Sequence, residues 1–243
     1  MSSFTIIVPV FEETYALVFS QIYFSSLGLH PLYVLDSKKV SRRIEVENLL
    51  GREVEIYENS GHCIEAGYEN LANVAKTDWI LRVDCDEAPN KALLEHAARF
   101  VLNPTYSYCA YDRDDIIWRG TKFERLKYAP LYFDSQFRLF NRREVKFVNR
   151  IHTPGFHVPR WKPVIWPAWH GPFSARLYHL NREFVTSQQL VDKTLRYNAA
   201  GQHKKFENWY SRSANSFKWL SFDDNSFNEF FSCWKAAAGI SST

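Results

Sequence analysis

Apolar positions in the first hundred residues fall into short continuous runs separated by amphipathic stretches. Phe4 to Val10 is apolar and rich in β-branched residues, as in a strand buried on both faces. Residues 13 to 27 are helix-compatible. Leu32 to Leu35 is a second apolar run, ending at Asp36-Ser37. Residues 39 to 50 are amphipathic at helical spacing and close on Gly51, a helix stop signal. Glu53 to Tyr57 predicts a third strand, ending in Asn59-Ser60-Gly61. Residues 63 to 76 predict a helix with Ile64, Leu71, Ala72 and Ala75 on one side, and Trp79 to Val83 a fourth strand. Alternation of strand and helix predicts an α/β fold: a mostly parallel central sheet with helices on both faces. Ligands of such sheets bind beyond the carboxyl ends of the strands. Asp36, Asn59 and the pair Asp84/Asp86 all fall there.

The pattern changes after Pro104. Segments 106–118 and 131–148 are aromatic, β-branched and interrupted by charges, which predicts strands of a mixed or antiparallel second half. Five prolines between residues 154 and 172 predict an ordered loop or short extended pieces. Residues 174–200 read as helical, and the tail from Gly201 is rich in Phe, Trp and Ser. The expected organisation is a domain over 1–173, with a nucleotide-binding half 1–103 and an acceptor half 104–173. A helical, aromatic extension over 174–243 packs on it.

Composition narrows the class. The chain has 243 residues, 46% hydrophobic and 16% aromatic, enough for a substantial core in one domain plus an extension. A formal charge of +3 gives no sign of a polyanion-coating protein, so nucleic acid is not an expected partner. The cysteines Cys63, Cys85, Cys109 and Cys233 lack C-x-x-C spacing, which argues against structural zinc and a disulfide framework. The opening MSSFTIIVPVFEE has no basic n-region, and no run of about 18 apolar residues exists. The expectation is a cytoplasmic protein without a membrane span, with peripheral membrane contact left open.

The most informative stretch is Trp79-Ile80-Leu81-Arg82-Val83-Asp84-Cys85-Asp86-Glu87-Ala88-Pro89. An apolar run ends in two carboxylates spaced one residue apart. Strand alternation puts Trp79, Leu81, Val83 and Cys85 on one face and Arg82, Asp84 and Asp86 on the other, with Ala88-Pro89 ending the strand. Two such carboxylates repel each other when empty. A hard divalent cation, which takes oxygen ligands, relieves that repulsion and can hold the phosphates of a nucleotide. A bare D-x-D triplet is otherwise a common solvated acidic turn.

In this context the chain resembles the family 2 glycosyltransferases, which have the GT-A fold, over roughly residues 4 to 200. Ile7-Val8-Pro9-Val10-Phe11-Glu12-Glu13 looks like that family's first strand and nucleotide-holding loop, with Glu12 where Asn or Arg is usual. Leu35-Asp36-Ser37 is similar to the Asp-Ser that contacts the base. Asp84-Cys85-Asp86-Glu87 resembles the D-A-D-E form of the metal motif. Tyr132-Phe133-Asp134-Ser135-Gln136-Phe137-Arg138-Leu139-Phe140 resembles the Asp-x-Gln-x-Arg-Leu-Phe block of the subgroup containing lipopolysaccharide-core transferases. Arg150-Ile151-His152-Thr153-Pro154 keeps that subgroup's His but lacks the Glu that follows it. Leu177-Tyr178-His179 with Lys193 and Arg196-Tyr197 resembles its C-terminal helical pattern.

The resemblance implies a metal-dependent, inverting transfer from a UDP-sugar to an unknown saccharide, lipid-linked or protein acceptor, with Mn²⁺ or Mg²⁺. It places Pro9, Val10, Phe11, Glu13, Asp36, Asp84 and Cys85 on the nucleotide. Asp86, Asp84 and His152 go to the metal, with His170 and His179 as alternatives to His152. Asp134 is the general base, with Asp114 and Asp115 as competitors. His62 and Arg138 go to the sugar and acceptor pocket. Beside each role stands a plainer one: Asp36 as a helix N-cap, Arg82 as a structural ion pair, Asn59 to His62 as a turn, Gln136 and Arg138 as structural donors, and Trp161, Trp166, Trp169 and Phe173 as packing. The tail aromatics, from Phe206 to Trp234, are expected to dock on the body rather than meet lipid. Two other functions stay open: a nucleotide-sugar-binding protein without catalysis, and a nucleotidyltransferase. The lack of a glycine-rich, basic phosphate loop near the first strand argues against the second.

Overall fold

A computed structural model describes residues 4–10, 14–59, 67–126, 135–148, 155–158, 170–184 and 219–238. The chain divides into two compact units: Met1–Arg113 with Asp134–Leu177, and Asp114–Phe133 with Tyr178–Thr243. The sequence reading drew one cut at residue 173. Instead residues 114–133 group with the C-terminal part, because their strand and the tail's strand and helix share one core.

In the first unit, β1 (Thr5–Val10), β2 (Leu32–Asp36), β3 (Glu55–Tyr57) and β4 (Trp79–Arg82) are parallel, in the order β3-β2-β1-β4. β8 (Ser135–Asn141) runs antiparallel to β4, and the first half of β6 (Tyr108–Trp118) antiparallel to β8. The continuous apolar runs are buried as expected: Ile7, Val8, Val34, Leu35, Ile80 and Leu81 are all fully enclosed. Alternation sends neighbours to opposite faces. On one face Ile7, Val34, Tyr57 and Ile80 meet Leu71, Ala72 and Ala75. On the other, Tyr33 meets α1 (Thr14–Ser26) through its hydroxyl, 3.2 Å from Ser20 Oγ. Helices therefore cover both faces.

Three local expectations need correction. The helix expected over 39–50 is a 3-10 helix, Ser37–Arg42, followed by α2, Arg43–Leu50. Asp36 Oδ1 accepts from Lys38 N, 2.9 Å away, which favours the tighter start. Gly51 closes α2 at φ 63, as the stop signal requires. The helix expected over 63–76 is described only as α3, Tyr68–Asn73. Residues 60–66 lie outside the described residues. Ala88-Pro89 does not end a strand but belongs to β5, Glu87–Pro89, which pairs with β9, Arg176–His179. Three residues suffice for a Pro-containing edge piece, and the Pro89 carbonyl takes the Tyr23 hydroxyl at 2.8 Å. α4 (Lys91–Leu102) follows, capped by Asn90 Oδ1 on Leu93 N.

β9 corrects the helix expected from residue 174. Leu177 and Tyr178 are buried strand residues, and the Asn90 side chain bonds the β9 start at Arg176 N, 3.0 Å. α5 (Asn181–Phe184) is helical, and residues 185–200 lie outside the described residues.

In the second unit, the rest of β6 pairs with β7 (Phe123–Leu126), and β7 with β10 (Trp219–Ser221). α6 (Asn225–Ala237) starts at Asp224, whose Oδ1 accepts from Phe227 N. Phe123 is fully buried, its ring 4.6 Å from that of Phe231, 5.0 Å from Trp118 and 5.5 Å from Phe227. The described part of the aromatic tail is therefore core, as expected of docked rather than lipid-facing rings. Among the described residues no helix is long and apolar enough to cross a membrane.

Asp112 ties the sheet of the first unit together. Its side chain is only 2% exposed. Oδ1 accepts from Ser135 Oγ of β8 and lies 3.0 Å from His170 Nε2, and Oδ2 accepts from Arg176 Nη1 of β9. Burial alone raises its pKa; the hydrogen bond and charge of His170, with Arg176 and Ser135, outweigh burial and lower it. A depressed carboxylate stabilises the fold above its unfolded pKa, about 3.9, and that contribution is lost as pH falls through the lower folded value. Asp112→Ala is expected to cost about 3–5 kcal/mol, as for one partner removed from a buried pair. Urea unfolding at pH 7 measures the loss, and repetition below about pH 4 should show the gap from wild type narrowing.

Candidate active site

The parallel strands end together on one edge, and the connections reverse there. The chain steps from β1 outward to β2 and β3, then returns through α3 to β4 on the other side of β1. This is the switch point at which open α/β sheets form a crevice for ligands. Pro9 helps to open it. Val83 N donates to Ile7 O, so the polar groups of Ile7 face β4. By parity Pro9 faces β4 too, but it has no N–H to offer. β4 stops at Arg82, opposite Ile7, and the chain turns away. Pro9 and Val10 remain buried in β1, paired with Val34 and Leu35 of β2.

The turn from Val83 to Asp86 carries the acidic motif, and arginines hold it. Glu87 N donates to Asp84 O, while Asp84 N donates to Glu87 Oε2 at 3.0 Å. Arg138, on β8 and 1% exposed, donates through Nη2 to Asp84 Oδ2 at 2.8 Å and to Glu87 Oε1. Glu87 is fully buried, with Arg113 Nη1 also 3.7 Å from its Oε1. Arg82 Nη2 lies 3.8 Å from Asp84 Oδ2. The Arg82 guanidinium lies over the Tyr68 ring, 4.6 Å from the centroid. Gly155 backs that ring: at φ 82, a Cβ there would meet Tyr68 Cδ2 at 1.5 Å.

The geometry changes the electrostatics expected from the sequence. The two aspartates were read as mutually repelling neighbours on one strand face. They instead sit in a turn, and Asp84 has a buried counter-charge. Asp86 is half-buried in the same turn. Cys85 is 2% exposed among core residues, so its thiol points inward.

The second cluster lies at the end of β2. Asp36 Oδ2 accepts from Asn59 Nδ2 at 2.8 Å, just past β3. Its other oxygen caps the 3-10 helix, so the N-cap reading of Asp36 holds. Tyr57 closes the group from β3; burial, then the charge of Asp36, raise its phenol well above the ordinary range.

The remaining candidates separate. Phe11, Glu13, His62, Asp134 and His152 lie outside the described residues. Arg138, assigned from the resemblance to the sugar and acceptor pocket, is enclosed and spends its guanidinium on Asp84 and Glu87. His170 bonds Asp112 and Ser135, and its Nδ1 lies 2.7 Å from Gly171 O. In the second unit His179 pairs with Asp115, and Asp114 faces Arg125 at 4.0 Å. Among the described residues no three His, Cys, Asp or Glu side chains gather into a metal-holding group. The carboxylate oxygens of the turn are the donors a hard cation takes. They suit an ion that brings further oxygen ligands with it.

No family model matches the sequence, and no curated protein matches it. Among solved structures, S. aureus TarS is 18% identical over 60% of this chain and 30% of that chain, with a TM-score of 0.38. TarS residues 1–349 in complex with UDP-GlcNAc is 18% identical over 49% of this chain and 36% of that one, with a TM-score of 0.32. The inositol-1-phosphate CTP transferase from T. maritima is 11% identical over 58% of this chain and 69% of that one, at 0.35. The chain thus spans less than a third of the first of these TarS chains. Scores this low leave function to be read from the chain's own geometry.

Sequence reasoning included Glu87 in the acidic motif without a role of its own, and missed Arg113 and Tyr68. A glutamate next to Ala88-Pro89 in an apolar context was the available signal for a buried acid. Glu87→Ala leaves the buried Arg138 paired with Asp84 and takes away the fully buried half of the pair, and the expected cost is about 3 kcal/mol. Arg42→Ala, which breaks the exposed Arg42–Glu45 pair at 3.0 Å, should leave the unfolding midpoint near wild type. Chemical denaturation of the two variants side by side checks the contrast.

Proposed function

We propose that this chain is a glycosyltransferase that binds a UDP-sugar at the carboxyl edge of its parallel strands and transfers the sugar with inversion, with Mn²⁺ or Mg²⁺ as cofactor. The observation that carries this reading is the placement of the Asp84–Glu87 turn beside the end of β1 at the switch point, with the Asp36 carboxylate at the end of β2. A crevice with a carboxylate on one side and an arginine-backed acidic turn on the other suits a nucleoside diphosphate. A base imide N–H meets Asp36, and the diphosphate lies towards Asp84 and Asp86.

In this reading Asp86 and Asp84 hold the cation together with the phosphates, and His152 joins them. The cation neutralises charge on the departing diphosphate. Asn59 holds the Asp36 carboxylate in place, leaving its remaining lone pairs for the base. Arg82, braced on Tyr68, keeps Asp84 oriented. Asp134 takes the proton from the acceptor hydroxyl. The acceptor is a saccharide, a lipid-linked sugar or a protein.

Nucleotide binding is tested by melting. UDP with Mn²⁺, at about 100 times its dissociation constant, should stabilise the protein by about 2.7 kcal/mol, read as a rise in Tm. Asp86→Ala should remove the Mn²⁺-dependent part of that rise and stay folded. Asp36→Ala should weaken UDP more than pyrophosphate, because its carboxylate meets only the base. No rise with UDP and Mn²⁺ at millimolar concentration excludes the reading.

Catalysis is tested separately. Asp134→Asn keeps the size of the side chain but cannot accept the acceptor's proton, so turnover should fall by about 10²–10⁴-fold while UDP affinity holds. Near-normal turnover in this variant moves the base to another carboxylate.

A further inference from the structure

Among the described residues, the acids of the turn and the arginines that pair with it balance in charge. Asp84, Asp86 and Glu87 carry three negative charges; Arg82, Arg113 and Arg138 carry three positive ones. Their burial is unequal. Arg138 is 1% exposed and Glu87 not at all, whereas Asp84 is 23% exposed. Arg138 is thus fixed inside and reaches outward to a carboxylate at the crevice. A single amino group of it, Nη2, touches both acids, and Glu87 returns the constraint through its bond from Asp84 N.

We propose that Arg138 is a positioning residue that acts as the standing counter-cation of Asp84, so that the turn takes a divalent cation only together with a nucleoside diphosphate. The inference rests on the nucleotide reading above. A turn with no net charge attracts a bare dication weakly. A diphosphate would bring negative charge and further oxygen ligands, and Asp86 and Asp84 would hold the cation together with it. Were Arg138 absent, the same turn would carry a net negative charge and hold the bare ion by itself. A sugar phosphate with a single phosphate supplies fewer oxygens and less charge, so the site selects the diphosphate over the monophosphate.

The sign of one effect separates this role from scaffolding. A residue that only supports the fold lowers every affinity when removed. A counter-cation, when removed, raises the affinity for the bare ion. Mn²⁺ alone is titrated into the full chain and free Mn²⁺ is followed by electron paramagnetic resonance, with circular dichroism as the check on folding. Wild type should take up Mn²⁺ weakly without nucleotide, and at least about tenfold more tightly with UDP than with UMP present. Arg138→Gln should bind bare Mn²⁺ at least about tenfold more tightly than wild type, and Arg138→Lys, which keeps the charge, should return towards wild type. If Arg138→Gln does not fold, Arg113→Gln removes the same charge from the half-buried rim and should shift bare-ion affinity in the same direction. Tight binding of bare Mn²⁺ by wild type overturns the proposal, as does unchanged or weaker bare-ion binding in the folded charge-removing variant. Failure of the nucleotide reading looks different: wild type then binds UDP neither with nor without Mn²⁺, while the bare-ion comparison between wild type and variant still decides whether Arg138 holds Asp84's charge.

Discussion

A guanidinium buried to 1% exposure at Arg138 constrains everything around the crevice. A lone buried cation is untenable at several kcal/mol of desolvation, so its carboxylates must come to it. They come from one short turn, Asp84 to Glu87. β8 supplies the arginine, and β8 pairs antiparallel with β4, whose end the turn leaves. The ion pair thus joins the antiparallel half of the first unit to the end of its parallel half. Arg113, at the middle of β6, adds a looser contact at 3.7 Å, which makes Glu87 the hub rather than either aspartate.

Backbone chemistry sets the same place from the other side. β1 is flanked by β2 and β4, yet it contains a proline. Parity turns the missing N–H towards β4, one step past the last β1–β4 bond from Val83 N to Ile7 O. A strand that continued there would lose a ladder bond. The chain instead bends, and the bend is where the polar motif lies. Pro9 and Asp84 are separated by 75 residues of sequence, but the position of one explains why the other is in a turn.

Much of this was legible in the sequence. The period and composition of the apolar runs located β1, β2, β3 and β4 within a residue or two; β1, β2 and β4 are enclosed by neighbours and almost continuously apolar, while β3 at the sheet edge exposes Glu55. Strand ends followed, and with them Asp36, Asn59 and the acidic motif. Local competition was less legible. Asp36's own side chain decides for a 3-10 start over an α-helical one, and β9 is a strand because of partners that a one-dimensional reading cannot supply. The arginine network was the least visible. Arg82, Arg113 and Arg138 are 31 and 25 residues apart and meet only through sheet pairing, and no periodicity announces a charged residue with no solvent exposure.

The two aspartates of the motif are alike in sequence and unlike in surroundings. Strand alternation would have made them equivalent, side by side on one face. Equivalence ended at Arg82, where the strand ends. Beyond it Asp84 is bound back to the core by Arg138 and braced by Arg82, whose own place is fixed by Tyr68 against Gly155. Asp86, two residues on, is half-buried in the same turn. Pairs of like groups held in unlike environments are how one site divides labour between two carboxylates. Here the difference is that Asp84 is held by a buried guanidinium from β8 and by Arg82 at the strand end. That asymmetry comes from where one strand stops and which residue of β8 faces it, so it is a property of the fold rather than of the three-letter motif.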